Sequence, residues 1–261
     1  MRWVRFAAHE HEDEVAAYGK LDGDTVHELT DAPWDGGTPT GKEYPLSGVR
    51  LLAPVVPSKI VCLGLNYAEH AAEGGHGSAP GTPLIFLKPP TSVIGPEDTI
   101  IWPPMSERIG YEAELTIVIG RKAKDVPEAA AGDFIFGWTC AHDVSARDIQ
   151  KSDGQWVRAK SFDTFCPVGP WIEDSIRVAD VKAGLAIRGY LNGEKKQDGN
   201  TADLVHQVDK LVSFISQVMT LLPGDIILTG TPSGVGLMQT GDVYEVEIER
   251  IGKLRNTFIK A

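Results

Sequence analysis

The stretch Phe134-Ile135-Phe136-Gly137-Trp138-Thr139-Cys140-Ala141 is a run of apolar and aromatic residues that ends in His142-Asp143. Residues of this kind are typical of a buried β-strand. An ionised aspartate at the end of a buried strand is costly unless a cation compensates its charge. We therefore expect Asp143 to pair with a cation, with the alternative that it only caps a short helix predicted over Val144–Gln150.

Most other patterned segments also predict strands. The predicted strands, rich in β-branched or aromatic residues, are Lys59–Leu63, Pro83–Leu87, Glu112–Ile119, Leu185–Leu191, Asp225–Leu228 and Val243–Ile248. One long helix is predicted, because apolar residues recur at intervals of three and four from Leu204 to Leu222, just before Pro223-Gly224. Strands outnumber helices and do not alternate with them, which favours a mostly β, mainly antiparallel architecture with a few helices.

The beginning of the chain predicts a small β-rich module. Val15–Leu21 and Thr25–Leu29 flank Asp22-Gly23-Asp24, a signature of a hairpin turn because Asp-Gly accepts positive φ. A Gly- and Pro-rich stretch follows. We predict a small N-terminal domain over residues 1–53 and a main domain over residues 54–261.

Composition excludes several classes of function. The 261 residues include 36 acids and 25 Lys and Arg, a formal net charge of −11, and nucleic acid requires a basic surface instead. The apolar runs are too short to span a membrane, and the first residues lack the apolar core of a signal peptide. Three cysteines are too few for a disulfide scaffold or a zinc cluster. We expect a cytoplasmic protein that binds a small molecule, not nucleic acid or a membrane.

Three acidic residues are candidate metal ligands. Glu112 and Glu114 lie two apart on a predicted strand and therefore share a face, where their like charges repel unless a cation lies between them. The alternative is a solvated strand face. Together with Asp143 they would form an all-oxygen set, which suits Mg²⁺ or Mn²⁺ better than Zn²⁺. His142 would point to the opposite face of its strand, and we expect it to pack there.

Two further segments could carry chemistry. His70 and Glu73, three apart on a predicted short helix, would meet on one face, where the carboxylate could orient the imidazole and raise its basicity. The glycines that follow suggest a lid, and the alternative is a surface pair in a mobile loop. Lys160 could stabilise an oxyanion beside a metal, or be an ordinary surface lysine. Thr231, in a Gly-rich turn, could help to hold a carboxylate.

The order of these motifs along the chain resembles the fumarylacetoacetate hydrolase family. The matching motifs are Asn66-Tyr67, His70, Glu73, Phe86-Leu87-Lys88-Pro89, Glu112-x-Glu114, His142-Asp143-x-x-x-Arg147-Asp148-x-Gln150, Lys160-Ser161-Phe162 and Thr229-Gly230-Thr231-Pro232-x-Gly234. The resemblance runs from about Lys59 to the C-terminus. It implies a mixed β-roll with a β-sandwich-like core, assembled as a homodimer.

The resemblance also implies roles for site residues. The ligands of a Mg²⁺ or Mn²⁺ ion would be Glu112, Glu114 and Asp143. The residues that contact the substrate carboxylate or its oxo oxygens would be Arg147, Gln150 and Thr231. The catalytic residues would be His70 and Glu73, a lid dyad that activates water or moves a proton, and Lys160 beside the metal.

Two features depart from fumarylacetoacetate hydrolase itself. That enzyme has a further carboxylate ligand shortly before its lid histidine, whereas Val61–Leu65 contains no acid here. Its dyad acid comes from a distant segment, whereas Glu73 is local. Both features favour a shorter branch of the family, which comprises acylpyruvate hydrolases, oxaloacetate decarboxylases, and the isomerases and decarboxylases of aromatic meta-cleavage pathways.

We therefore expect an enzyme that uses a metal to stabilise the enolate of a 2-oxo or 2,4-dioxo acid. The favoured activity is an isomerase or decarboxylase of the 2-hydroxyhepta-2,4-diene-1,7-dioate type in aromatic catabolism. The alternatives are an acylpyruvate hydrolase, an oxaloacetate decarboxylase, and a non-catalytic metal- or ligand-binding protein with the same fold. A glycosidase is disfavoured, because two adjacent carboxylates on one face lie closer than the roughly 5–9.5 Å that such enzymes use.

Overall fold

The structure is a computed structural model, and it describes residues 1–8, 16–74 and 78–260. Its strands are β1 Arg2–Ala8, β2 Ala16–Asp22, β3 Thr25–Leu29, β4 Pro39–Pro45, β5 Val49–Leu52, β6 Ile60–Gly64, β7 Leu84–Lys88, β8 Val93–Ile94, β9 Thr99–Trp102, β10 Ile109–Tyr111, β11 Ala113–Ile119, β12 Ile135–His142, β13 Ser145–Ala146, β14 Cys166–Glu173, β15 Ala186–Leu191, β16 Glu194–Asn200, β17 Ile226–Leu228, β18 Gly236–Leu237, β19 Val243–Ile248 and β20 Gly252–Lys260. Its α-helices are α1 Ala68–Glu73, α2 Arg147–Asp153, α3 Val157–Lys160, α4 Val178–Ala183 and α5 Val208–Val218. Short 3₁₀ helices are Pro33–Asp35, Leu46–Gly48, Pro90–Ser92, Glu128–Phe134 and Thr201–Asp203.

The strands form one large sheet and two smaller ones. The large sheet runs β4-β3-β2-β1-β14-β12-β11-β17-β6-β7, with β5 on β1 and β8 on β14. A second sheet has the order β16-β15-β19-β20-β9, and a small third one the order β13-β10-β18. Most neighbours are antiparallel, while the pairs β6–β17, β8–β14 and β9–β20 are parallel. The prediction of a mostly β fold with a few helices is confirmed.

The main core lies where β11 and β12 of the large sheet pack against β15 and β19 of the second sheet. Ala113, Leu115 and Ile117 alternate along β11 and point into this core, as the period of two predicts. His142, at the end of β12, is buried in it and packs on Tyr244, with ring centroids 4.5 Å apart. The second sheet covers this face of β11, while Val118 on the opposite face belongs to another core cluster with Val55 and Ile60, so both faces are buried and the polar side chains of β11 are not in solvent.

The N-terminal segment continues the large sheet. β1 pairs with β14, where Arg2 lies opposite Glu173, and β2 and β3 form a hairpin at the predicted Asp22-Gly23 turn. Phe6, Val26 and other apolar side chains of this segment form a small core of their own. The domain boundary after residue 53 stays a prediction, because the segment has its own core and yet shares a sheet with the rest.

The long predicted helix is shorter than its apolar pattern suggests. Helix α5 covers Val208–Val218, not Leu204–Leu222. Before it, the Gln207 side chain donates to the Leu204 carbonyl at 3.0 Å, which satisfies the backbone of the preceding turn. After it, the chain extends, and Leu221 forms a β-bridge with Ala123. The terminal apolar residues therefore pack through tertiary contacts instead of further helical turns.

Two smaller findings complete the fold. The short helix predicted over Val144–Gln150 is shifted, since α2 begins only at Arg147, after Ser145 and Ala146 pair with β10. Among the helices of the described residues, none has the length and apolar character needed to cross a membrane.

Candidate active site

Three carboxylates meet at one end of the large sheet. Glu112 precedes β11, Glu114 is its second residue, and Asp143 directly follows β12. The pairing of Ala113 with His142 brings these positions together. The three side chains offer oxygens within 4.8 Å of one another. They are only 4%, 1% and 1% exposed in chain order, so the alternative of a solvated strand face is wrong. We refer to Glu112, Glu114 and Asp143 as the carboxylate cluster.

Three cationic side chains surround this cluster. Lys160 Nζ lies 2.8 Å from Glu112 Oε2 and 2.6 Å from Asp143 Oδ2. Lys88 Nζ lies 2.5 Å from Asp143 Oδ1, and Arg147 Nη1 lies 2.6 Å from Glu112 Oε1. Both lysines are 2% exposed. The surface-lysine alternative for Lys160 and the helix-cap alternative for Asp143 are therefore both wrong.

The pKa values of the two glutamates in the cluster shift in opposite directions. Burial acts to raise the pKa of Glu112, but Lys160 and Arg147 outweigh it and hold that pKa far below its usual value. Burial likewise acts to lower the pKa of Lys160, and Asp143 and Glu112 raise it above its usual value. For Glu114, burial and then the charges of Asp143 and Glu112 raise the pKa well above the ordinary range. Glu114 is thus the member of the cluster whose charge the protein compensates least.

The cluster fits a divalent cation. Glu114 accepts a hydrogen bond from Gly230 N at 2.7 Å, and in the described ranges no Lys, Arg or His forms an ion pair with it. A buried carboxylate beside two others calls for a further positive charge. Three carboxylate oxygens, with open positions toward a cavity, are the donors that hard divalent cations prefer. The residues present could therefore hold such a metal.

Helix α1 carries the predicted lid dyad. His70 Nδ1 lies 3.6 Å from Glu73 Oε2, too far for a hydrogen bond, and this buried nitrogen has no partner among the described residues. Both Glu73 oxygens instead face Gly234 N, at 3.1 and 3.2 Å, and Glu69 Oε2 accepts from Ser233 Oγ at 3.0 Å. Burial lowers the pKa of His70 below 6.5, so its neutral form is favoured. The helix is therefore held to the Gly-rich turn by its two glutamates.

A cavity of about 640 Å³ opens over the carboxylate cluster. One wall is aromatic, because the rings of Phe86 and Trp156 meet edge to face at 5.3 Å. This wall requires glycine at position 64, since a Cβ on Gly64 would lie 2.3 Å from the Trp156 ring. Residues 75–77, which belong to the glycine-containing part of the predicted lid, lie outside the described residues.

The structure brings eight of the nine predicted site residues to this cavity. Those that line it are His70, Glu112, Glu114, Asp143, Arg147, Gln150, Lys160 and Thr231. Glu73 does not line it, although its Oε2 lies 3.6 Å from His70 Nδ1, and 38% of its side chain is exposed. Arg147 Nη1 is 3.1 Å from Gln150 Oε1, while Nη2 of the same guanidinium is buried without a partner in the described part of the chain. That unpaired donor is suited to an anionic ligand.

Sequence reasoning missed two residues that build the site. Lys88 lies within the motif Phe86-Leu87-Lys88-Pro89, and as a charged residue that ends an apolar strand it carries the same signal as Asp143. Asn66 is also buried, and its Nδ2 donates to the Thr229 carbonyl at 2.8 Å while its Oδ1 accepts from His206 N at 2.8 Å. No sequence pattern predicts those last contacts, because they join segments far apart in the chain.

Comparisons with known proteins find similar sequences over most of the chain. The family model described as Fumarylacetoacetate (FAA) hydrolase C-terminal matches residues 59–259, and the one described as Rv2993c-like, N-terminal matches residues 1–54. Protein Rv2993c of Mycobacterium tuberculosis is 49% identical over 94% of each chain. The mitochondrial oxaloacetate tautomerase Fahd2a of Rattus norvegicus is 43% identical over 82% of this chain and 71% of its own.

A solved structure is similar over the whole chain. It is described as 2-hydroxyhepta-2,4-diene-1,7-dioate isomerase from Mycobacterium marinum, with 45% identity and a TM-score of 0.89. The similarity covers 100% of this chain and 98% of that one. At this identity and coverage, the two chains share the same fold.

Proposed function

Because the chain belongs to the fumarylacetoacetate hydrolase family, we propose that it is a Mg²⁺- or Mn²⁺-dependent isomerase or decarboxylase of the 2-hydroxyhepta-2,4-diene-1,7-dioate type. One observation carries the proposal. A single cavity combines a carboxylate cluster that fits a divalent cation, buried cations beside it, and a histidine whose neutral form is favoured. Two of the similar proteins, at 45% and 43% identity, are named an isomerase and a tautomerase, which supports rearrangement as the reaction.

The charged residues of the cavity would bind and polarise the 2-oxo acid end of the substrate. A Mg²⁺ or Mn²⁺ ion held by the carboxylate cluster would supply Lewis acidity toward the oxo oxygen. Lys160 has three N–H donors, of which two reach Glu112 and Asp143, so the third is available to an oxyanion. Arg147 Nη2 would donate to the substrate carboxylate, since it has no other partner in the described residues.

His70 would move the proton. A general base must be unprotonated and must reach the carbon that loses its proton, and burial favours the neutral imidazole at the edge of this cavity. In an isomerase, the same imidazole returns the proton at another carbon of the conjugated chain. In a hydrolase it would instead activate water, so the residue alone does not distinguish the two reactions.

Lys151 favours a dicarboxylate over a monocarboxylic acylpyruvate. This exposed lysine lines the cavity, and no ion pair involving it occurs in the described ranges. Its ammonium could pair with a second carboxylate at the far end of a substrate such as the heptadienedioate. Acetylpyruvate, a monocarboxylic acylpyruvate, has no such group. The observation therefore supports the dioate type of substrate.

The test is a substrate panel with a defined metal. Protein loaded with Mn²⁺ or Mg²⁺ and protein treated with a chelator are assayed against 2-hydroxyhepta-2,4-diene-1,7-dioate, oxaloacetate and acetylpyruvate. We expect metal-dependent rearrangement of the dienedioate as the fastest reaction, and any decarboxylase activity to appear as CO₂ release from oxaloacetate. Hydrolysis of acetylpyruvate without any reaction of the dienedioate would reassign the chain as an acylpyruvate hydrolase. Metal binding without turnover of any substrate would favour the non-catalytic alternative.

The contribution of Lys151 is tested by Lys151→Met. We expect the KM for the dienedioate to rise about two- to fivefold, the range of an exposed ion pair, with no change for acetylpyruvate. Lys122→Met, which removes an exposed lysine outside the cavity, is the matched control. Equal changes in KM for both substrates would show that Lys151 does not recognise a second carboxylate. The homodimer expected from the resemblance stays a prediction, which light scattering tests.

A further inference from the structure

Thr231 lines the cavity, and the only hydrogen bond of its hydroxyl group within the described residues is one that it accepts. The donor is Nε2 of Gln197, at 2.8 Å. Gln197 lies on β16 of the second sheet, is fully buried, and does not line the cavity. It belongs to none of the sequence motifs and has no role in the proposed proton transfer. Its amide therefore requires a separate explanation.

The chemistry of its neighbours fixes the orientation of this amide. The backbone N–H of Ala113 lies 2.9 Å from Oε1, and a backbone N–H can only donate. The carbonyl oxygen of Pro232 lies 2.8 Å from Nε2, and a carbonyl can only accept. If the amide were flipped, its NH₂ group would face the Ala113 N–H, and its oxygen would face the Pro232 carbonyl oxygen. Oε1 and Nε2 of Gln197 are thus identified by their partners alone.

A second donor completes the hydrogen bonds of the Gln197 amide oxygen. The hydroxyl of Tyr244 donates to Gln197 Oε1 at 2.6 Å. Glycine at position 189 makes room for this contact, since a Cβ there would lie 2.0 Å from the Tyr244 hydroxyl oxygen. Both acceptor positions of the amide oxygen are then occupied. The two protons on Nε2 go to the Pro232 carbonyl and to the Thr231 hydroxyl.

The direction of these bonds determines what Thr231 can do. Its oxygen accepts from Gln197, so its own proton remains available to a group in the cavity. We infer that Gln197 is a positioning residue that holds the Thr231 hydroxyl as a hydrogen-bond donor to an anionic oxygen of the bound ligand. That the ligand is a 2-oxo acid rests on the proposed function, whereas the direction of the hydrogen bond does not.

The inference is tested by binding of oxalate, a non-reacting dianion with the shape of a pyruvate enolate. Calorimetry on the Mn²⁺-loaded full chain gives its Kd for wild type, Gln197→Met, Thr231→Val, the double variant, Thr231→Ser and Tyr244→Phe. We expect Thr231→Val to weaken binding roughly tenfold or more, as the loss of a hydrogen bond to a charged acceptor does. We expect Gln197→Met to weaken it severalfold, and the double variant to be no weaker than Thr231→Val, because the two residues act through one hydroxyl.

Two variants separate positioning from simple support of the fold. Thr231→Ser keeps the hydroxyl and should retain a Kd within about twofold of wild type. Tyr244→Phe removes a donor to the same Gln197 oxygen but leaves Ala113 N to orient the amide. It should lower the melting temperature and leave the Kd unchanged. If Tyr244→Phe and Gln197→Met weaken oxalate equally, or if Gln197→Met and Thr231→Val are additive, Gln197 is only structural and the inference is wrong.

These experiments test the role of Gln197 and Thr231 separately from the proposed enzymatic activity. The expected Kd pattern, together with no turnover of any 2-oxo acid by wild type, would overturn the proposed function and support the inference. Turnover with a Kd that Thr231→Val does not change would overturn the inference alone. Failure of wild type to bind oxalate at all would also overturn it, because the hydroxyl would then not serve an anionic oxygen.

Discussion

The carboxylate cluster and helix α1 lie on the same cavity but hold their functional groups in different ways. Asp143 and Glu112 are buried and fixed by lysine and arginine contacts of 2.5 to 2.8 Å. His70 has no hydrogen bond to its Nδ1 in the described residues, and the glutamate beside it is 38% exposed. Changes in the cluster should therefore alter stability and ligand binding together. Changes on α1 should alter the rate alone.

Asp143→Asn should give the largest effect. It leaves Lys88 and Lys160 buried without their shared anion, and breaking a buried ion pair costs about 3–5 kcal/mol of unfolding free energy. Chemical denaturation measures this loss, and a Mn²⁺ titration should show metal affinity reduced by more than about a hundredfold. Asp153→Asn, which breaks the exposed pair with Arg158, is the control and should change neither quantity appreciably. Unchanged metal affinity in Asp143→Asn would remove Asp143 from the metal site.

His70→Gln should lower kcat about 10²- to 10⁴-fold, the range for loss of a general base. Metal affinity, the Kd for oxalate and the melting temperature should stay near wild type, because the ring carries no buried ion pair of the cluster. Steady-state kinetics and calorimetry on the same preparation check both parts. His206→Gln is a matched control, since that imidazole contacts the Pro80 carbonyl and does not line the cavity. A large loss of metal binding in His70→Gln would contradict the contrast between the two regions.

Glu73→Gln tests whether the two residues act as a dyad. The substitution keeps an acceptor oxygen for Gly234 N but removes the negative charge beside His70. If the charge assists proton transfer, kcat should fall about threefold to tenfold more than in Glu69→Gln, which also contacts the Gly-rich turn through Ser233. Equal kcat values for the two variants would mean that Glu73 only holds the helix in place.

The pH dependence should give the smallest effect. Burial lowers the pKa of His70, so its neutral form persists below pH 6.5, and the acid limb of kcat/KM should lie below that value. The pKa of His70 is lower in the folded state than in the unfolded state, so protonation of this histidine favours unfolding. The free energy of unfolding should therefore decrease as the pH falls from 6.5 through the folded-state pKa, and His70 should not affect it at higher pH. Mn²⁺ affinity measured over the same range is the control. If it falls along the same limb, the limb belongs to the carboxylate cluster and not to His70.

Short-range patterns were enough to find much of this site. The spacing of Glu112 and Glu114 placed two carboxylates on one strand face, and an acid after an apolar strand singled out Asp143. The same patterns could not show that these residues are buried. Whether a strand face meets solvent or another layer depends on which sheet packs against it, and that information is not local in the sequence.

The end of helix α5 shows the same limit. The apolar repeat continues to Leu222, yet the helix stops at Val218 and Leu221 pairs with Ala123. Helical periodicity records only that a residue is apolar at the right interval. A competing β-bridge with a distant residue decides whether another helical turn forms.

The sequence by itself determined the mostly β class, the family resemblance and the acids of the carboxylate cluster, because strand alternation and motif order are local properties of the chain. Only the tertiary structure decided which cations neutralise those acids, and that Gln197 orients Thr231 across 34 residues of sequence. The physical reason is that charge pairing and hydrogen-bond direction depend on distances between side chains. Those distances are set when separate sheets pack together.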